Sequence, residues 1–411
     1  MVLLPTVYRQ VLRNKNFLNL TLTNVFAQIS FAFLTLILVT SVFAITKSNF
    51  GVSGVVLSFV LPGLLLVAFS GFAADLFDRK KIISFSIGAI AIIAFGILLF
   101  FGKVFGMIVL SFVYHGLLAF YLPAFSAASS QLVKKSQLMV ANSIFTLTVV
   151  GGQITGFLAV SLLQFFFGPS ISIIICGLLL LAAFFWSMFL PTLRPGRRTE
   201  SLRSIFNKAN EIVSAFLYIS QRKSLWFFVT ILAVVYGIYA FGATLGPGFF
   251  NEVVGLSIRV SPLFAFPPVA VGLLAGMTFV HLAKRGEGST SAIGLFLMGF
   301  ASLVLGSLIS VGVQGLLFWL VLALFIVFAS FGAVICIIAS RTVIQRLVLH
   351  RYQGTVFAAS IVLSALFAAI ASPLGVILEE AIGYINILLL AGSVLLLIAP
   401  LVARVSLKWK F

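Results

Sequence analysis

The spacing of charged residues is the feature that most constrains this chain. A helix that crosses a bilayer needs about 20 apolar residues, and eight uncharged intervals reach that length: 16–46, 48–74, 82–102, 104–133, 224–251, 260–283, 352–378 and 381–403. Two longer intervals, 136–193 and 288–340, each have room for two helices, with turn-rich breaks at Gly168-Pro169 and between Gly312 and Gly315. Because the runs are continuously apolar and do not alternate, they predict helices and not strands. The sequence therefore predicts an all-α integral membrane protein with twelve transmembrane helices.

The composition excludes an ordinary soluble domain. The mean hydropathy is +1.25, with 62% hydrophobic and only 8% charged residues, which is too little charge to cover a soluble core. A net charge of +18 would ordinarily suggest that the protein binds nucleic acid. Here the positive residues are dispersed between apolar runs, with no polar domain to carry them, so we expect no nucleic-acid binding.

The two cysteines, Cys176 and Cys336, both lie inside apolar runs. That placement favours buried thiols over a disulfide or a metal site, and we expect neither a metal nor a cofactor. The first apolar run is long enough to span a membrane and follows a basic segment, so it predicts a retained signal anchor.

The positions of Lys and Arg predict the orientation. With a cytoplasmic N-terminus and twelve helices, every Lys and Arg except Lys47, Lys103 and Arg259 falls on the inner side. Such a bias is typical of cytoplasmic loops. We therefore expect a protein of the inner cell membrane with both termini in the cytoplasm.

One long polar segment divides the chain. It predicts an N-terminal six-helix half over 1–191, a cytoplasmic linker over 192–223 and a C-terminal six-helix half over 224–411. Within the linker, apolar residues recur at roughly helical spacing: Leu202, Ile205, Phe206, Ile212, Val213, Phe216 and Leu217. This periodicity favours an amphipathic helix on the inner membrane face over a disordered tether.

A short charged tract follows the second apolar run: Gly71, Asp75, Asp78, Arg79, Lys80 and Lys81. Inside-positive topology explains the basic residues but not two of the chain's eight acidic ones. A carboxylate at this helix end can accept hydrogen bonds from the N-terminus of another helix, while the basic residues face lipid phosphates. We interpret Gly71, Asp75, Asp78, Arg79 and Lys80 as a conformational latch, not as a substrate site.

A second Gly-led basic tract, 205 positions downstream, runs from Gly276 to Arg285, with Val280 and Ala283 where the first tract has aspartates. The pattern Gly-x-x-x-Asp-x-x-x-Arg-Lys-Lys of the first tract resembles the loop between helices 2 and 3 in the major facilitator superfamily of transporters. Three further segments, 123–128, 137–142 and 354–358, are similar to its drug-efflux branch, which includes macrolide-efflux and enterobactin-export proteins. The resemblance implies two pseudo-symmetric six-helix halves, alternating access around a site near the bilayer midplane, and proton antiport.

Two features depart from that family. In the tract 151–157 of the predicted fifth spanning helix, which lies before the break at Gly168, Phe157 stands where exporters of the family usually have proline, so the expected bend is in doubt. The predicted fourth spanning helix, in the interval 104–133, lacks the buried arginine of many proton-coupled relatives and offers Tyr114 and His115 instead. His115 is the candidate proton-coupling residue, although a lone histidine can also be a packed structural residue.

Uncharged polar residues within the predicted spans are candidates to line a substrate cavity. They are Asn24, Gln28, Tyr114, Tyr121, Gln153, Tyr236 and Tyr239. Hydrogen bonding between helices is the alternative role for each of them. Glu252, Glu379 and Glu380 fall near the predicted outer helix ends.

The combined interpretation is a secondary transporter, not an enzyme, that exports small lipophilic or amphipathic molecules with proton coupling. We expect a monomer whose other partners are membrane lipids. A lipid or lysolipid translocator on the same scaffold is the main alternative. A facilitator or channel without coupling stays possible, and an integral-membrane lipid enzyme is disfavoured because Asp75 and Asp78 have no metal-ligand cluster near them.

Overall fold

The structure, a computed structural model, describes residues 6–134, 137–194, 203–283, 286–348 and 352–407. Twelve α-helices occur in these ranges: α1 (Thr6–Arg13), α2 (Lys15–Thr46), α3 (Asn49–Leu76), α4 (Arg79–Leu99), α5 (Val104–Gln131), α6 (Leu138–Ser187), α7 (Arg203–Ser220), α8 (Lys223–Gly248), α9 (Ser261–Ala283), α10 (Glu287–Ser310), α11 (Leu316–Leu347) and α12 (Gln353–Leu407). A π-helical turn, Phe249–Val253, follows α8 directly. The described residues contain no strand, so the predicted all-α membrane fold is confirmed.

Ten of the described helices are long and apolar enough to cross a membrane. Two of these, α6 and α12, are each interrupted by one glycine with a positive φ: Gly168 (φ 78°, ψ 177°) and Gly383 (φ 74°, ψ 164°). That region of backbone conformation is essentially restricted to glycine. Counted as two segments each, α6 (138–167 and 169–187) and α12 (353–382 and 384–407) bring the described spanning segments to the predicted twelve.

Two of the predicted breaks between spanning helices agree with the structure, and a third was misplaced. Those at Gly168 and between Gly312 and Gly315 are confirmed, since α10 ends at Ser310 and α11 begins at Leu316. The boundary predicted at Glu379 and Glu380 was wrong by a few residues. Both glutamates lie in the last turn before Gly383, because the left-handed glycine and not the charge interrupts the helix.

The chain forms two compact units. Unit 1 consists of 1–47 and 57–209, and unit 2 of 48–56 and 210–411. The first residues of α3 therefore belong to unit 2, although most of that helix belongs to unit 1.

Within each unit, small residues let helices approach closely. In unit 1, α6 packs on α2 so tightly that a Cβ added at Gly156 would lie 2.7 Å from the Ile29 carbonyl oxygen. In unit 2, a Cβ at Gly299 would lie 2.9 Å from the carbonyl oxygen of Gly392, and the reverse distance is 2.8 Å. Because apolar surface gains little by leaving lipid, close van der Waals packing of this kind holds membrane helices together. Helix α6 is unbroken at Phe157.

The segment predicted as a linker includes α7, whose side chains the structure describes from Glu211 onward; Leu202 lies outside the described residues. Ala215 and Ile219 are its buried residues, and they pack against α8, α11 and α12 in unit 2. Val213 and Leu217, which the sequence placed on the same apolar face as Ile212, are exposed at 60% and 61%. From Glu211 onward the helix therefore packs within unit 2 through one face and leaves a second apolar face exposed.

Candidate functional site

The charged tract after α3 is bonded within unit 1. Asp78 is the N-cap of α4 and is only 9% exposed. Its Oδ1 accepts hydrogen bonds from the backbone N–H groups of Lys80 and Leu193, both at 3.0 Å. The N–H of Arg79 donates in return to the Leu193 carbonyl at 3.2 Å. Asp78 thus ties the α3–α4 turn to the chain that follows α6.

The basic side chains of the tract extend this connection. The Arg79 guanidinium donates to Gln131 Oε1 at 2.8 Å, and to the carbonyls of Ala74 and Ala127 at 3.3 and 3.4 Å. Lys80 Nζ donates to the Met188 carbonyl at 2.7 Å. These bonds join the ends of α3, α5 and α6 to the start of α4.

The remaining two latch residues have different surroundings. Asp75 is half-buried near the end of α3, and a Cβ added at Gly71 would meet no atom within 4 Å. Packing inside unit 1 therefore does not require glycine at position 71. In the second tract, Lys284 and Arg285 lie outside the described residues.

Four predicted cavity residues are packed inside unit 1. Asn24, Gln28, Tyr114 and Tyr121 are at most 2% exposed. Asn24 is the centre of a network that includes Gln28 and Tyr121: its Oδ1 accepts from Tyr121 Oη at 2.8 Å and from Gln28 Nε2 at 3.3 Å, and its Nδ2 donates to Thr148 Oγ1 at 2.7 Å. The structure therefore favours the alternative role for these residues, hydrogen bonding between α2, α5 and α6.

Tyr114 and His115 form a second group beside this network. The Tyr114 hydroxyl donates to the Phe31 carbonyl at 3.1 Å. His115 Nδ1 lies 2.9 Å from the Ser111 carbonyl oxygen, one turn earlier in α5. Its ring centroid lies 4.3 Å from that of Phe59 and 4.2 Å from that of Tyr114. In the neutral form this geometry requires the proton on Nδ1, so Nε2 is the nitrogen that can accept a further proton.

The other three predicted cavity residues are accessible. Gln153 is exposed on α6, Tyr239 is 69% exposed on α8, and Tyr236 is half-buried one turn before it. The Tyr236 hydroxyl accepts a hydrogen bond from Arg341 Nη2 at 3.2 Å. From the sequence, Arg341 was assigned only to the inner-face charges, because it directly follows the apolar interval 288–340. Its contact with Tyr236 was missed, since nothing else in the sequence indicated it.

An acidic cluster in unit 2 was only partly anticipated. Asn49, at the start of α3, is 5% exposed, and its Nδ2 donates to Glu379 Oε2 at 3.2 Å and to the Tyr384 hydroxyl. Glu252 lies close enough to Glu379 for their charges to interact. The sequence located the glutamates near a common membrane face, but nothing in it linked them to Asn49 or Tyr384.

Unit 2 also contains an apolar cavity of about 250 Å³. Residues of α8, the π-helical turn, α10, α11 and α12 line it, among them Phe241, Phe249, Met298, Phe325 and Tyr384. Among the described residues no group of three or more His, Cys, Asp or Glu side chains could hold a metal ion. Both cysteines are buried and unpaired.

Comparison with known proteins gives one family and several similar folds. The family model described as Major Facilitator Superfamily matches residues 17–373. A search of curated protein sequences found no match. Among solved structures, a mutant of the nucleoside transporter NupG has a TM-score of 0.77 at 13% identity, covering 94% of this chain and 100% of that one.

Two structures of POT family transporters are also similar. One, in complex with 5-aminolevulinic acid, has a TM-score of 0.75 at 14% identity, with 95% of this chain and 96% of that chain covered. Another, in complex with a thioalcohol-conjugated peptide, has a TM-score of 0.73 at 14% identity, with the same two coverages. At these identities the likeness is one of fold.

Proposed function

Because the chain belongs to the Major Facilitator Superfamily, we propose that it is a secondary transporter that exports small lipophilic or amphipathic molecules by alternating access, driven by proton antiport. The family match confirms the superfamily predicted from the sequence and makes the chain a membrane transporter and not an enzyme. Export, the drug-efflux branch and proton coupling are the proposed steps beyond it. We also propose a monomer in the inner membrane with cytoplasmic termini.

The observation that supports this substrate class is the chemistry of the accessible polar groups in the spans. Gln153, Tyr236 and Tyr239 are uncharged, and Asn24 and Tyr121 are already satisfied by buried hydrogen bonds. Within unit 2, Tyr236 and Tyr239 form an aromatic, weakly polar surface, which suits molecules with a large apolar part and few polar groups. Arg341, held by Tyr236, is the one described cation bonded to this set.

The proposed roles of the latch and of the coupling residue follow from the local geometry. Asp78, Arg79 and Lys80 hold the ends of four helices together, so they set the shape of this end of unit 1. We assign the conformational switch to Asp75, beside this rigid turn. His115 would carry the proton on Nε2, since its Nδ1 already donates to the Ser111 carbonyl.

Proteoliposomes with an imposed proton gradient test the proposal. Purified protein is reconstituted, and gradient-driven movement of a lipophilic cationic dye is compared for wild type, Asp75→Asn and His115→Gln. We expect the wild type to concentrate the dye against its gradient, Asp75→Asn to slow every mode of transport, and His115→Gln to remove only the gradient-driven part. Dye movement equal to that of empty liposomes in the wild type would refute the proposed substrate class.

The cavity in unit 2 favours a second candidate, translocation of a lysolipid, because its volume and apolar walls suit a hydrocarbon chain. A fluorescent lysolipid in the same liposomes separates the two activities. Rapid lysolipid movement without dye movement would support translocation, and the reverse result would support export.

A further inference from the structure

The cavity in unit 2 can accept only an apolar group. Two of its lining residues, Ser302 and Tyr384, carry hydroxyls, and both are engaged: Ser302 Oγ donates to the Leu388 carbonyl at 2.8 Å, and the Tyr384 hydroxyl is bonded by Asn49. The rest of the lining consists of aliphatic and aromatic side chains, glycines and the thioether of Met298. The volume of about 250 Å³ is below the roughly 300–1,000 Å³ of pockets that enclose a whole drug-sized ligand. It therefore suits one chain of a ligand whose remainder lies outside.

One end of this cavity meets the acidic cluster. Phe249 and Phe250 line the cavity and belong to the same π-helical turn as Glu252. Tyr384 lines it as well, and its hydroxyl contacts the Asn49 amide that donates to Glu379. A ligand with its chain in the cavity would thus place its other end at Glu252, Asn49 and Glu379.

The described residues satisfy the acceptors at that end only in part: Glu379 accepts one hydrogen bond, from Asn49 Nδ2. Among the described residues no Lys or Arg forms an ion pair with Glu252 or Glu379, and the described ion pair of unit 2 is Arg346 with Glu287, at 2.8 Å. The Asn49 Oδ1 atom is buried and has no hydrogen-bond partner. In a chain of net charge +18 with eight acidic residues, a glutamate pair that has no cationic partner among the described residues is unusual. A buried acceptor that lacks a donor costs free energy unless a ligand supplies one.

We propose that unit 2 holds a binding site for a single-chain alkylammonium ion, whose chain occupies the cavity and whose ammonium head lies at Glu252, Asn49 and Glu379. This site rests on the proposed function, since it names a substrate class for the transporter. Hydrocarbon is as apolar as the cavity walls, so the chain gains little by leaving the bilayer. The head therefore supplies most of the selectivity, through charge and through N–H groups that a carboxylate and an amide oxygen accept.

Equilibrium binding of radiolabelled dodecylammonium to the full chain in phosphatidylcholine nanodiscs tests the site, with empty nanodiscs as background. At neutral pH this amine is a cation, like the lysine side chain. We expect saturable binding at one site per chain, competed by unlabelled dodecylammonium and not by dodecyl sulfate. We expect dodecyltrimethylammonium to compete several-fold less well, because it has the charge but no N–H group. Equal competition by the two cations would overturn the placement of the head.

Two substitutions, each with a matched control, test the two ends of the site. Gly246 lines the cavity, and a Cβ added there meets no atom within 4 Å, so Gly246→Leu fills the cavity without a clash at its Cβ. Gly63 on α3 has equally open space, and Gly63→Leu is its control in unit 1. Glu379→Gln keeps an acceptor for Asn49 but removes the charge, and Glu380→Gln makes the same charge change one residue away.

We expect Gly246→Leu and Glu379→Gln each to weaken binding at least about tenfold, and the two controls to change it by less than about twofold. Equal effects of Glu379→Gln and Glu380→Gln, or unchanged binding in Gly246→Leu, would overturn the site. Transport assays in liposomes distinguish a failure of the binding site from a failure of the proposed export. If the wild type transports the dye but neither Gly246→Leu nor Glu379→Gln changes dodecylammonium binding, the site is refuted and the proposed export is not. If dodecylammonium binds specifically but no amphiphile is transported, the proposed export is refuted.

Discussion

Replacement of Asp78 separates a structural role of the charged tract from a switching role. Asp78 accepts two backbone hydrogen bonds at 3.0 Å, from Lys80 as the cap of α4 and from Leu193. Loss of an N-cap side chain costs about 1 kcal/mol. Leaving the Leu193 N–H unpaired costs roughly a further 1–3 kcal/mol. Asp78→Ala should therefore lower the free energy of unfolding by about 2–4 kcal/mol.

Asparagine at the same position should cost less. Its amide oxygen can accept both bonds but lacks the charge, and charge-assisted hydrogen bonds are about twice as strong as neutral ones. We expect Asp78→Asn to lower the free energy of unfolding by about 1–2 kcal/mol, intermediate between wild type and Asp78→Ala. Glu211→Ala is the control, because Glu211 is an exposed carboxylate on α7 and should change stability by less than about 0.5 kcal/mol.

Unfolding of bicelle-reconstituted protein by sodium dodecyl sulfate, followed by tryptophan fluorescence, measures these differences. The predicted order of stability is wild type and Glu211→Ala, then Asp78→Asn, then Asp78→Ala. If Asp78→Ala unfolds at the wild-type detergent fraction and yet abolishes transport, the reasoning fails, because the carboxylate would then act in the transport cycle and not in the fold of unit 1.

Three further substitutions have definite expected outcomes. Gly168→Ala should destabilise the protein by about 1–3 kcal/mol, because alanine is strained at φ 78° and ψ 177°; Gly354→Ala, in open space at the start of α12, should be neutral in the same unfolding assay. Tyr121→Phe should cost about 1–3 kcal/mol of stability by removing the bond to Asn24, whereas Tyr239→Phe should leave stability unchanged; equal stability losses would contradict their different burial. His115→Gln should abolish proton-driven movement of the cationic dye while exchange of the dye at equal concentrations continues, and loss of both would indicate a packing role instead.

The sequence predicted where the charged tract of the candidate site lies, but not the hydrogen bonds that its residues form. The charged tract was found because two aspartates are conspicuous in a chain with eight acidic residues. Its internal connections could not be found, since the partner of Asp78 is the backbone of Leu193, 115 positions away, and a backbone N–H carries no sequence signal. The latch assignment of Asp75 stays a prediction.

The polar residues of the spans show a second limit of the sequence. Tyr121 is completely buried and Tyr239 is 69% exposed, yet both are tyrosines in continuously apolar runs. In a soluble protein the polar face of a helix would mark the exposed side. In a bilayer both the lipid-facing and the packed faces are apolar, so periodicity does not distinguish them.

The sequence by itself determined the all-helical membrane fold, its twelve spanning segments and the break at Gly168. These features depend on local physics. A backbone in lipid must satisfy its own hydrogen bonds, which favours helices, and a glycine can adopt φ and ψ angles that interrupt a helix. Only the tertiary structure decided which polar groups meet, as when Asn49 contacts Tyr384 across 335 positions at the end of an apolar cavity. Such contacts depend on how helices distant in sequence pack, and no local pattern along the chain encodes that arrangement.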